Sequence, residues 1–80
     1  IMDITQLDKE EQETIVNQYE AVRRSGQTNM LNKTAVQRIA FDNDLYELVN
    51  FIDGDDYGSL LQNYAELQEL IDEDNLPEIN

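Results

Sequence analysis

A small all-α bundle of four helices, at about 8–25, 33–41, 44–53 and 57–74, is the fold that the sequence predicts. Three observations lead there. Apolar residues recur at the i, i+3, i+4, i+7 spacing that lines one face of a helix. Capping residues precede those stripes and glycines follow them. No stretch alternates apolar and polar residues as a half-buried strand does.

The first helix opens at Thr5 or Asp8, and Asp8-Lys9-Glu10-Glu11 has the spacing of a capping box. Ile15, Val16, Tyr19 and Val22 supply its buried stripe. Arg23 and Arg24 stand in the last turn, where cations complement the helix dipole, and Gly26 supplies the stop. Residues 26–32, "GQTNMLN", read as a polar connection from which Met30 and Leu31 fold back onto the core. Asn32 caps the second helix, which buries Val36, Ile39 and Ala40. "FDND" breaks it, and Asp44 is expected to cap the third helix, whose stripe is Leu45, Leu48, Val49 and Ile52. Gly54 ends that helix. The fourth carries Leu60, Tyr64, Leu67 and Ile71, widened by Leu61 and Leu70. Pro77 closes the ordered region, leaving 75–80 as an expected flexible tail of a single 1–80 domain.

A chain of 80 residues has a small, marginal core. It has no cysteine and no histidine, so it lacks thiolate ligands, disulfides and the usual acid–base group near neutral pH. No apolar run reaches a membrane span, and Ile1-Met2-Asp3-Ile4 shows no signal-peptide pattern, so a cytoplasmic location is expected. The net charge is −13 and unevenly placed. Residues 1–41 hold six acids and all five bases (Lys9, Arg23, Arg24, Lys33 and Arg38). Residues 42–80 hold twelve acids and no base. Such a field repels phosphate backbones and argues against direct nucleic-acid binding.

The strings "SGQTNM", "AVQRIAF" and "LYELVNFI" lie within residues 21–52. This segment resembles a small phage and prophage domain family of unknown function. The resemblance implies a viral or prophage origin and brings no catalytic residues with it. The acidic region from Asp53 onward falls outside it.

"NFIDGDDYGSLL", residues 50–61, raises the question of a calcium loop. Counted from Asp53, Asp55 takes position 3, but Tyr57 takes 5 and Tyr64 takes 12, so a ligand and the bidentate glutamate are missing. A helix–helix turn capped by Asp55 or Asp56 is the structural reading, and no metal or cofactor is expected. Farther on, Glu66, Glu69 and Glu73 would share one helical ridge, about 4.5 and 6 Å apart along the axis. No base stands at i±4 to any of them, and Asp72 and Asp74 oppose the helix dipole. Such a placement serves either solubility or contact with something cationic. Asp42, Asp44 and Glu47 extend the same surface or merely cap and turn the chain. The arginines are expected to form internal ion pairs. Tyr57 belongs either to the core edge or to a partner anchor.

Without histidine, cysteine or a sheltered carboxylate pair, catalysis is not expected. The "TAVQRIAFDNDLYELVNFI" stretch has a helix–turn–helix rhythm, but its second helix is acidic where a DNA reader is basic. The functional expectation is an acidic DNA mimic. Asp53, Asp55, Asp56, Tyr57, Glu66, Glu69, Asp72, Glu73 and Asp74 would occupy the basic groove of a host nucleic-acid-binding protein, such as a CRISPR effector or restriction nuclease. The alternative is a structural, assembly or self-associating helical protein of a phage, a homodimer included, in which the stripes of the first and fourth helices pair with another copy. A third reading, adaptation to high salt, predicts loss of fold in dilute buffer.

Overall fold

The computed structural model describes residues 2–54 and 56–80. The described residues form helices and no strand, arranged as a small helical bundle. The helices are α1 (Lys9–Ser25), α2 (Lys33–Asp42), α3 (Tyr46–Gly54), α4 (Tyr57–Gln62) and α5 (Tyr64–Leu67). Short 3-10 turns precede α1 at Ile4–Gln6 and follow α5 at Gln68–Leu70. α1 is the central rod, with α2 and α3 packed against it as a pair and residues 64–70 running beside it.

Most cap signals act as the sequence implies. The Asp8 carboxylate accepts the Glu11 N–H at 2.8 Å, and Asn32 Oδ1 accepts the Ala35 N–H at 3.1 Å. Gly26 takes φ 69° at the end of α1, a left-handed conformation that glycine adopts without steric cost. The reciprocal capping box forms earlier than expected. Asp3 Oδ1 accepts the Thr5 N–H, and the Asp3 N–H donates to Gln6 Oε1. Thr5 is therefore capped and is not itself a cap.

The stripes of α1, α3 and α4 converge on one core of Ile15, Val16, Tyr19, Val22, Leu48 and Leu60, joined by Ile4, Val36, Ala40 and Ile52. Tyr19 stacks at an angle on both Tyr57 and Tyr64, with ring centroids 6.2 and 5.4 Å away. These stripes are spent within the molecule, which leaves their core residues covered. Phe51 joins the core beside the expected α3 residues. Leu31 departs from expectation at 74% exposed, whereas Met30 packs on the core and its carbonyl accepts the Tyr57 hydroxyl at 2.7 Å.

Two expectations about helix ends need correction. Asp44 does not cap α3. The Leu45 N–H donates to the Ala40 carbonyl at 2.8 Å and the Asp44 N–H to that of Phe41 at 3.2 Å, the Schellman pattern that closes α2. Asp44 sits at its left-handed position with φ 62°, where glycine is usual. Asp44→Gly is expected to raise stability by less than about 1 kcal/mol, because relief of the left-handed penalty is offset in part by loss of the Tyr46 hydroxyl's bond to the Asp44 carboxylate. Thermal unfolding would show it as a higher Tm.

The predicted 57–74 helix is likewise interrupted and shorter. Asn63 separates α4 from α5, its side-chain amide bonded to the Ser59 carbonyl at 2.8 Å. Helical structure stops at Leu70 because Asn17 of α1 competes for the backbone. Asn17 Nδ2 donates to the Leu70 carbonyl at 3.0 Å, and its Oδ1 accepts the Asp72 N–H at 2.7 Å. That exchange also frees Asp72 and Asp74 from the negative end of a helix. Residues 75–80, expected to be a flexible tail, are irregular but docked. Ile79 packs on the core, the Asn80 N–H reaches Asn43 Oδ1 at 2.9 Å, and Gln27 donates to the Asn80 carbonyl.

Candidate functional site

The acidic half of the chain is built from two turns and one segment that follows α1. In the first turn, Gly54 ends α3 and Asp56 caps α4 by accepting the Ser59 N–H at 3.3 Å. Ser59 is buried. Its hydroxyl accepts the Ile4 N–H at 2.9 Å and donates to the Asp56 carbonyl at 2.6 Å, fastening the N-terminal turn to α4. Asp53 and Asp56 are exposed, and Asp55 lies outside the described residues. Among the described residues, no group of three acids is arranged to hold a metal ion.

Tyr57, a candidate anchor by sequence, is 5% exposed. Burial raises its hydroxyl pKa, and the neighbouring Tyr19 adds to the rise. Its ring packs in the core.

Glu66 and Glu69 share an open cleft of about 420 Å³ with Thr5, Lys9 and Gln12. Farther along, Asp72 lies beside Asn17, and Glu73 meets Arg24 at 2.6 and 2.8 Å. The acids therefore track alongside α1 in the same chain direction, from Lys9 to Arg24, about 20 Å at 1.5 Å per residue. This arrangement replaces the single helical ridge expected for Glu66, Glu69 and Glu73. The carboxylates are not equivalent. The Asp72 carboxylate folds onto its own turn, accepting from the Asp74 N–H and the Asn75 amide. Hydrogen bonds from Arg24 hold the Glu73 carboxyl below the usual carboxylate range. Glu66 and Glu69 are exposed, and Lys9 shares their cleft without forming an ion pair among the described residues. The structure does not join Asp53 and Asp56 to this run through any shared cleft among the described residues.

Arg24 belongs to a larger knot. Glu20 is completely buried. It accepts two hydrogen bonds from Arg23, at 2.9 and 2.7 Å, one from Arg24 at 2.6 Å and one from the Tyr64 hydroxyl. Burial pushes the Glu20 carboxyl up, but the bonds from Arg23, Tyr64 and Arg24 outweigh it and bring it down to about 2. Arg23 also lies over the Tyr64 ring, 5.6 Å from its centroid. The expected internal pairing thus holds for Arg23 and Arg24. Lys9, Lys33 and Arg38 make no ion pair among the described residues.

Two features escaped the sequence reading. An open cleft of about 380 Å³ between α1 and α3 is rimmed by Glu10, Glu11 and Glu47 over Ile15 and Phe51. Buried Gln18 steadies its rim, donating to Glu47 at 2.7 Å while accepting the Leu48 N–H at 2.8 Å. The bond from Gln18 also lowers the Glu47 pKa. The second feature is an exposed aromatic pair. Phe41 and Tyr46 are 59% and 46% exposed and meet edge to face at 5.8 Å. The i+3 and i+4 spacing of Arg23 and Arg24 from Glu20 made that knot legible in principle. The aromatic pair depends on a turn geometry that spacing does not reveal.

No helix among the described residues is long and apolar enough to cross a membrane. Comparison with curated proteins and with solved structures finds no match for the chain. A family model described as a domain of unknown function, DUF5049, matches residues 11–67. The match runs from α1 through α5 and takes in the Glu20 knot and Glu66, but stops short of Glu69, Asp72 and Glu73. The chain belongs to the DUF5049 family, a domain of unknown function.

Proposed function

We propose that this protein is an acidic binding module that docks on a basic surface of a partner protein. More specifically, it is a phage-derived inhibitor that fills the nucleic-acid-binding groove of a host defence enzyme in the cytoplasm, such as a CRISPR effector or restriction nuclease. Its role is binding, without catalysis. One observation carries this reading: among the described residues, the carboxylates of the 42–80 half are exposed and almost unneutralised. Among the described residues, Glu73 is the one acid of that half within ion-pair distance of a base. Glu66 and Glu69 stand free at the surface, where retaining two uncompensated charges favours a cationic partner over stability alone.

Mechanistically, the carboxylates compete with phosphates for lysine and arginine. Association is then fast and weakened by salt. The test uses Glu66→Lys with Glu69→Lys, because Glu73 is committed to Arg24 and its replacement would alter the Glu20 knot together with the acidic surface. The double variant is expected to keep its helical circular dichroism and to lose inhibition of DNA cleavage by at least about tenfold. Inhibition as strong as that of the unaltered chain would sink the groove-filling mechanism.

A further inference from the structure

We infer that the tip joining α2 to α3 is a recognition site for an arginine side chain of the partner, built on the aromatic pair Phe41 and Tyr46. This rests on the proposed docking to a basic protein and names the contact that would give it specificity. Two large aromatic rings held together in solvent are a feature of interfaces, where rigid rings give contact area at little entropic cost. Here the rings are fixed before any partner arrives. They pack edge to face at 5.8 Å, and the Tyr46 hydroxyl donates to Asp44 Oδ1 at 2.7 Å. The Schellman turn holds Asp44 in its left-handed conformation, which sets that hydrogen bond.

The occupant follows from charge. Asp42 and Asp44 flank the rings and are exposed. The tip is also the C-terminal, negative end of the ten-residue α2, which has no base in its last turn. Aromatic faces attract cations, and a planar guanidinium can stack on a ring while its N–H groups reach a carboxylate. An ammonium lacks that flat face, so arginine is favoured over lysine. Arg38 lies one turn back on α2 and forms no ion pair at the tip among the described residues.

The experiment titrates the isotopically labelled full chain with a blocked peptide of alternating glycine and arginine. Nuclear magnetic resonance follows the binding at about 20 mM and about 300 mM salt. The ring resonances of Phe41 and Tyr46 are expected to shift and saturate, and the lysine counterpart to bind several-fold more weakly. Phe41→Ala with Tyr46→Ala is expected to reduce affinity for the arginine peptide about five- to tenfold, with circular dichroism unchanged. Shifts confined to Glu66 and Glu69 would overturn the tip as the site and leave the acidic-module reading standing. No shift anywhere at low salt would overturn both. A dimer in sedimentation that the double variant converts to monomer would show that the rings serve self-contact, and would overturn the arginine site.

Discussion

Replacing Arg23 and Arg24 together by alanine is expected to destabilise the fold by about 3 kcal/mol. The cause is the carboxylate left behind. Glu20 is fully buried, and the double variant strips away three of its four hydrogen bonds. The figure is the low end for breaking a buried pair, because both arginines are themselves half-exposed and water can follow them in. Against a total of about 4–12 kcal/mol for a domain of this size, that loss is large. Urea unfolding measures it directly. Adding Glu20→Gln to the double variant should restore part of the loss, since a neutral amide costs less to bury. No recovery would mean that arginine packing, and not the stranded charge, holds this end of α1.

The same knot fixes how stability responds to acid. Glu20 titrates near 2 in the fold and near 4.5 when unfolded. Its contribution is therefore complete above about pH 4.5 and is lost as pH falls toward 2. Without the arginines, burial dominates and the Glu20 pKa rises above its unfolded value. Its effect then reverses sign: the variant should gain stability from this group as pH falls through the carboxylate range. Thermal unfolding of both proteins between neutral pH and about pH 3 compares the two slopes. Parallel slopes would show that Glu20 is not the group responsible.

Leu48→Ala is the second large effect, expected at about 2–5 kcal/mol. Leu48 is completely buried in α3, the helix that packs on both α1 and α2. Truncation removes apolar contact and leaves a cavity in the core that Leu48 shares with Val16, Val22 and Val36, all of them fully covered. The backbone at this position is also anchored, since the Leu48 N–H donates to the buried Gln18. That bond limits how far α3 can shift to close the gap. A conservative Leu48→Met change should cost less than about 1.5 kcal/mol, because volume is nearly kept. A similar loss for both variants would argue that position 48 acts through something other than packing.

The candidate site was only partly legible in advance. Glu66 and Glu69 were legible as exposed acids with no base at i±4, and both are exposed in the fold. Glu73 looked equally free by the same local rule, yet Arg24, 49 positions away, bonds to it. Tyr57 stood next to an acidic turn and could have faced either way; packing against Tyr19 and the Met30 carbonyl decided it. Gln18 and Asn17 carried no visible signal at all, although one steadies the Glu47 carboxylate and the other redirects the chain at Leu70.

By itself the sequence determined the all-α class, the extent of α1 and α2, most of the caps and the concentration of negative charge after residue 41. Those depend on neighbours within a turn or two, where spacing of apolar, capping and charged residues is the whole interaction. Tertiary structure alone decided where the last helix stops, which acids are neutralised and which aromatics face solvent. Each of those turns on side chains from distant parts of the chain meeting one another, and a local pattern holds no record of such meetings.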